Sequence, residues 1–282
     1  MIKKILVALD PDEDTEIATG HAIDVAGRHD ASVTGLALID VGEIAERVAG
    51  TGSVAYYADQ LRDQFTSESR EKARDLISSF ESTVREAGVD FGEQIEEGVP
   101  VERLKEDMKY HDLLVIGKEF HFFYPRPEDE TRTLDEVVKE GVAPVLITGD
   151  TLRSVDRVLV AYDGSPPSAR TLQRFVQLRP FGTDLHIELA HVRGPSQKEK
   201  KESALLLELA SDYVEAHGFD RVETNSMFGD DPADRLTRYC DAEGVDLVVA
   251  GAHAVSRVQR WMFGSTTEAL LAEHSVPLFV SH

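Results

Sequence analysis

Between Gly251 and Thr266 the chain gathers two glycines, two serines, a threonine and two arginines into one connection, and the chemistry such a set supports is anion binding. Leu247-Val248-Val249-Ala250 is a run of strand formers that stops at Gly251. A glycine at the end of a buried strand lets another group approach the backbone closely. At the far end, Gly264-Ser265-Thr266 stands just before the helix-like run from Thr267 to His274. A helix start offers free backbone N–H groups and hydroxyls to an anion. Both ends are therefore built as a phosphate site would be, with Arg257 and Arg260 between them. Glycine and serine also serve turn and cap geometry in strand-to-helix connections, so spacing alone leaves that alternative open.

Other chemistries find less support. No Gly-x-Ser-x-Gly pattern is present, and Ser265 has no base partner evident in the sequence. His253 lies in the loop and could reach a phosphate oxygen, although a lone loop histidine is more often simply polar. His191, at a strand end, reads as a satisfied buried histidine. The ten histidines are scattered, with no close pair on a helix, so no protein metal site is expected. Mg²⁺ would enter only with a nucleotide. Asp10, Asp12 and Asp14 could suggest a phosphoacceptor, but no acceptor aspartate ends the third strand and no lysine follows the fifth. They read as an acidic helix start.

The elements that position these residues occur twice. Ile2 to Asp10, IKKILVALD, returns as Val155 to Asp163, VDRVLVAYD. His111 to Gly117, HDLLVIG, returns as Val245 to Gly251, VDLVVAG. Val142 to Thr148 returns as Ser275 to Ser281. Three matches in the same order argue for duplication, with a seam in the polar stretch Gly149 to Ser154. The expected domains are 1–150 and 151–282, each of ordinary size. Within each half, apolar strands alternate with helical runs, which implies a parallel sheet covered on both faces. Thr15–Arg28, Glu68–Ala87 and Val101–Tyr110 have helical spacing; Lys4–Leu9, Ala31–Ile39, Asp90–Glu97 and Leu113–Ile116 read as strands. Val41–Thr66 reads as a long connection, a lid or a partly helical insertion, and Arg193–Lys201 as a shorter solvated turn.

Composition narrows the partners. The 282 residues carry a formal charge of −22, the opposite of what a general nucleic-acid binder needs. The same charge disfavours anionic membranes, and no apolar run is long enough to span a bilayer. MIKKILVALD reads as a first strand rather than a signal peptide. Cys240 is the only cysteine, which excludes an internal disulfide framework and points to the cytoplasm.

The strand-and-aspartate openings, the Val/Ile-Gly strand ends and the Pro-Val-Leu type closing strands resemble the universal stress protein domain. The whole chain resembles a tandem member of that family. The resemblance implies two tandem doubly wound five-stranded parallel-sheet domains, of the adenine nucleotide alpha-hydrolase-like type, joined by pairing of their fifth strands, Val145–Thr148 and Leu278–Ser281. It also implies an adenine nucleotide site. The family's ATP-binding pattern is glycine, two residues, glycine, nine residues, then glycine with serine or threonine. In the second half this reads Gly251, Ala252-His253, Ala254, nine residues, Gly264-Ser265. The spacing is intact, with Ala254 in place of the second glycine. The resemblance further turns Asp163 to the nucleoside, counts Ala161 before it among the nucleotide-binding residues, and has Gly164-Ser165, also counted there, begin the next helix. It assigns the Val192 backbone to adenine, and His253, Arg257 and Thr266 join the phosphate end.

The first half departs from the pattern. Phe120 replaces the second glycine, Thr131-Arg132 the closing pair, and Pro11-Asp12 the Gly-Ser after the first strand. Glu128, Asp129 and Glu130 would repel a polyphosphate. The implied protein is a stress-response regulator that binds ATP or AMP, with Mg²⁺ where ATP carries it, in its second half. No catalytic residue can be named; the pattern allows slow ATP hydrolysis, and a true nucleotide-dependent hydrolase or transferase is a third reading. The alternative is a family member without nucleotide, acting as a protein-interaction module or holding an apolar ligand at Phe120, Phe122, Phe123 and Tyr124. A protein partner of unknown kind is implied either way, with the chain a monomer holding an internal pseudo-dimer or a homodimer.

Overall fold

A computed structural model describes residues 1–11, 14–42, 44, 55–118, 134, 136–252 and 276–282, with backbone alone for 55–59. The chain separates into two compact units. One comprises Lys3–Val137 with Gly141–Ala143; the other comprises Met1–Ile2, Val138–Glu140 and Pro144–His282.

The N-terminal unit carries β1 (Lys4–Leu9), α1 (Asp14–His29), β2 (Ser32–Ile39), α2 (Ala55–Glu86), β3 (Phe91–Glu97), α3 (Pro100–Met108) and β4 (Leu113–Ile116). Its strands lie in the order β3-β2-β1-β4, all parallel. The buried faces of β1, β2 and β4 are near-continuous runs of Ile, Leu, Val and Ala, as expected where helices cover both sides of a sheet. Ala73, Ile77, Phe80 and Val84 recur at helical spacing on α2 and are all buried. That helix starts at Ala55, so the Val41–Thr66 stretch is partly helical, one of the readings its sequence offered. Much of that stretch, 45–54, lies outside the described residues.

The C-terminal unit carries β5 (Val145–Ile147), β6 (Arg157–Ala161), α4 (Pro166–Leu178), β7 (His186–Arg193), α5 (Gln197–Ala216), β8 (Arg221–Phe228), α6 (Pro232–Glu243), β9 (Leu247–Gly251) and β10 (Leu278–Ser281). Its strand order is β5-β10-β9-β6-β7-β8. The last four neighbours in that order are parallel to one another and to β10. β5 runs antiparallel to β10, with Leu278 opposite Ile147 and Val280 opposite Val145. The closing strands of the two sequence halves therefore pair, as the resemblance implied. Under α4, Phe175 packs edge-on to Phe279 at 5.4 Å and stacks near Phe219 at 6.4 Å.

The expected solvated turn at Arg193–Lys201 is shorter than its sequence suggested: β7 runs to Arg193 and α5 begins at Gln197, capped by Ser196. Ser196 accepts a hydrogen bond from the Glu199 N–H at 3.1 Å, and the Glu199 carboxylate accepts one from the Ser196 N–H at 3.0 Å. This reciprocal cap satisfies two donors that a helix end otherwise leaves open. The Ser-x-x-Glu spacing was the signal that basic composition obscured.

The duplication is visible at atomic level. The Asp112 carboxylate accepts from the backbone N–H groups of Lys3 and Lys4 at 2.7 and 3.1 Å. The Asp246 carboxylate accepts from those of Asp156 and Arg157 at 3.1 and 2.8 Å. In each half, the aspartate before the fourth strand fastens the beginning of the first.

Candidate functional site

In the C-terminal unit the chain moves from β6 to β7 to β8 on one side, then returns through α6 to β9 on the other side of β6. The sheet thus changes direction between β6 and β9. In open α/β sheets, ligands bind beyond the carboxyl ends of the strands at such a point. A cleft lies there, with a volume of about 120 Å³. Its floor is Ala161, Ala190, Ala250 and Gly251 at the strand ends, and its walls include Asp163, Ser165, His191, Val192 and Leu236.

The turn after β6 is held by its own side chains. The Ser165 N–H donates to Asp163 Oδ1 at 2.9 Å. Gly164 between them has a φ of 74°, the left-handed region that glycine enters without strain. Ser165 then caps α4, accepting from the Ser168 N–H at 3.4 Å, and Pro166 and Pro167 occupy the first helical positions.

Gly251 has a use that spacing did not reveal. A Cβ placed there would lie 2.6 Å from Ser168 N and 2.8 Å from the Pro167 carbonyl carbon. The first turn of α4 rests directly on the end of β9, leaving room only for hydrogen. Gly117 repeats the arrangement in the N-terminal unit, where an added Cβ would meet Asp14 Cβ at 2.7 Å. There the loop after β1 closes differently: the Thr15 hydroxyl accepts from the Asp10 N–H at 2.7 Å and donates to the Asp10 carbonyl at 2.5 Å.

β7 outruns its neighbour. β6 ends at Ala161, which pairs with Ala190, whereas β7 continues to Arg193. The Ala190 carbonyl accepts from Tyr162 N–H at 2.8 Å on the β6 side, and the Arg193 carbonyl accepts from Gly229 N–H at 3.2 Å on the β8 side. Successive residues of a strand direct their backbone groups to alternate edges. Val192 therefore turns its N–H and C=O toward the β6 side, past the point where β6 has ended. One donor and one acceptor face the cleft from a fixed strand.

His191 was expected to be a satisfied core histidine, and the structure corrects this. It is half-buried, lines the cleft, and its buried Nδ1 has no hydrogen-bond partner among the described residues. Burial holds its imidazolium below the ordinary histidine range; Asp163 opposes that shift and Arg193 adds to it. As pH falls, the unfolded chain then takes up this proton before the folded one. The His191 contribution is intact above about pH 6.5, the unfolded value, and is lost as pH falls toward the lower folded value. An NMR titration of the His191 ring should give a midpoint below 6.5, and a midpoint above it would show that burial does not keep the ring neutral.

A protein-family model described as the universal stress protein family matches residues 1–119 and 154–282. The chain belongs to the universal stress protein family. A curated relative, universal stress protein Slr1230 of Synechocystis, is 24% identical over 209 residues, covering 74% of this chain and 71% of its own. Among solved structures, a universal stress protein from Archaeoglobus fulgidus superposes with a TM-score of 0.71 at 18% identity, covering 99% of this chain and 95% of that one. A putative universal stress protein from Pseudomonas aeruginosa gives 0.61 at 17% identity, with 99% and 93% covered. At these identities the likeness establishes the fold, and the site must be argued from this chain's own residues.

Of the residues that the universal stress protein pattern assigned, Ala161, Asp163, Ser165, Val192 and Gly251 line one cleft, and Gly164 shapes the turn beside it. His253, Ala254, Arg257, Gly264, Ser265 and Thr266 lie outside the described residues, as do Arg260 and the Phe120–Tyr124 cluster. The sequence reading missed His191, Ser168, Pro232 and Leu236 as lining residues. A leucine and a proline on a helix carry no chemical mark, and only the topology brings them to the strand ends. Among the described residues no group of three or more His, Cys, Asp or Glu could hold a metal ion. No described helix is long and apolar enough to cross a membrane.

Proposed function

We propose that the cleft of the C-terminal unit binds an adenine nucleotide, AMP or ATP, and that the protein reports nucleotide occupancy rather than turning substrate over quickly. The observation that carries this reading is the Val192 backbone, whose donor and acceptor face the cleft beyond the end of β6. A purine edge presents the complementary acceptor and donor. Ala190, Val192, Pro232 and Leu236 supply apolar flanks for the ring. Asp163, at the β6 end, would accept from ribose hydroxyls. The phosphates would extend over Gly251 toward Gly264, Ser265 and Thr266, with His253 and Arg257 nearby and Ala254 at the position where the family has glycine. Mg²⁺ would arrive on the phosphates of ATP. The free, buried Cys240 is compatible with a reducing cytoplasm.

Thermal unfolding with AMP and with Mg-ATP tests the reading. Either ligand at about one hundred times its dissociation constant should stabilise the unit by about 2.7 kcal/mol. Val192→Pro removes a donor that faces the cleft and no bond to β8, so it should weaken binding by about tenfold, the worth of one hydrogen bond. No response to either nucleotide would refute the proposal.

A further inference from the structure

β8 is an edge strand: among the described residues it pairs with β7 and with no other strand. It is eight residues long and carries no proline. Natural edges of this length are usually blunted by charge, by proline or by a bulge, because their open backbone groups can pair with another chain. Here the Gly229 N–H bonds to Arg193, so alternation points the backbone groups of Val222, Thr224, Ser226 and Phe228 away from β7. None of those four is charged. The charged residues of β8 alternate with them on the opposite face and are engaged elsewhere. Arg221 pairs with Asp156 and Asp184, each at 3.5 Å, and Glu223 with His186 at 3.4 Å.

The same four residues put their side chains on the α5 side of the sheet, where Ser226 meets Ser203 at 2.7 Å. An open cavity of about 330 Å³ lies between α5 and β8 there, lined by Leu207, Glu208, Asp212, Thr224 and Ser226 among others. Glu208 and Asp212 are exposed and make no ion pair among the described residues. Leu205 and Leu209 beside them are 57% and 61% exposed, and Phe228 at the strand end is 54% exposed. Backbone edge and acidic side chains thus share one groove, with the exposed leucines beside it on α5.

We propose that this groove docks an extended peptide segment of a partner protein, which adds as a further strand along β8 and places lysine or arginine opposite Glu208 and Asp212. Main-chain pairing supplies affinity in this mode and alternate side chains supply specificity. Charge excludes a second copy of this chain, because its own groove is equally acidic and the net charge is −22. Lys200 and Lys201, one turn before Ala204 on α5, share its helical face. The guest is therefore basic over the Val222–Thr224 portion and neutral or acidic near Phe228.

The test uses the full chain and a labelled peptide of four Lys-Val repeats, with a Glu-Val peptide as the counterpart. Anisotropy should show binding of the first and not the second. Amide exchange should slow by about tenfold or more at Val222, Thr224, Ser226 and Phe228 and not at the intervening residues. Thr224→Pro removes an outward N–H without touching the β7 ladder and should abolish both effects. Glu208→Lys with Asp212→Lys should reverse the preference between peptides, and this holds the proposal to account should the proline variant fail to fold. Absence of binding would overturn it. So would Lys-Val binding that leaves those amides unprotected, which would be general attraction to an acidic protein. Protection that rises with protein concentration without peptide would overturn it in favour of self-association.

Discussion

Gly251→Ala is expected to destabilise the C-terminal unit by about 2–3 kcal/mol, the upper part of the range for forcing an extra carbon into a close-packed site. Ordinarily a strand glycine replaced by alanine gains about 0.4–1 kcal/mol, because the unfolded chain loses freedom. Here the sign should reverse. The added Cβ would stand 2.6 Å from Ser168 N and 2.8 Å from Ser168 Cα, and both are backbone atoms that cannot rotate aside. Relief requires the first turn of α4 to move off β9. That turn is fixed by the Ser165 cap, and the Thr171 hydroxyl farther along α4 donates to the Ser281 carbonyl at 2.7 Å. Native-state amide exchange on β9, in the variant and the parent, measures the change. Unaltered or slower exchange would mean that α4 withdraws at little cost, leaving ligand approach as the reason for the glycine.

This glycine shows how far the sequence could be read. Its position at the end of an apolar run, and the echo at Gly117, were legible, and so was the need for something to come close. What comes close was not, because the approaching backbone belongs to a helix more than eighty residues earlier in the chain. Alternating apolar runs and helical spacing were enough for the strands and most helices, since a sheet buried on both faces leaves a strong compositional trace. The Asp112 and Asp246 repeat was equally visible, but its role as a clasp on the first strand depends on pairing of β1 with β4 and of β6 with β9. Val192 is an unremarkable valine in sequence. It matters through its backbone, and only the unequal lengths of β6 and β7 expose that backbone to the cleft. His191 failed the opposite way: burial was read correctly in part, yet the partner assumed for its ring nitrogen is absent among the described residues.

Glu188→Ala should be still more costly, about 3–4 kcal/mol, because it takes the buried acceptor from three half-buried donors at once. Glu188 sits in the middle of β7 and is 3% exposed. Its carboxylate accepts from Asn225 Nδ2 at 2.8 Å, from the Tyr239 hydroxyl at 2.5 Å and from Arg157 Nη2 at 3.5 Å. Arg157 is also within 3.5 Å of Glu243 on α6, so the carboxylate ties β6, β8 and α6 to β7. Glu188→Gln keeps the shape and one acceptor oxygen but loses the charge and turns the oxygen that faces Arg157 into an NH2 donor, so its cost should be about 1–2 kcal/mol. Tyr239 supplies an independent readout. Its phenol is pushed up to about 12 by burial first and then by its hydrogen bond to Glu188. A raised folded value means the Tyr239 contribution is complete below its unfolded value near 10 and is lost as pH rises toward 12. Ultraviolet difference titration should therefore find Tyr239 ionising earlier in Glu188→Gln than in the parent. A Glu188→Gln variant as stable as the parent, with the phenol unmoved, beside a costly Glu188→Ala would show that Glu188 acts by filling space. The predicted loss in Glu188→Gln, together with the earlier phenol, instead makes the carboxylate the fastening that holds α6, and with it Pro232 and Leu236, against the strand that presents Val192.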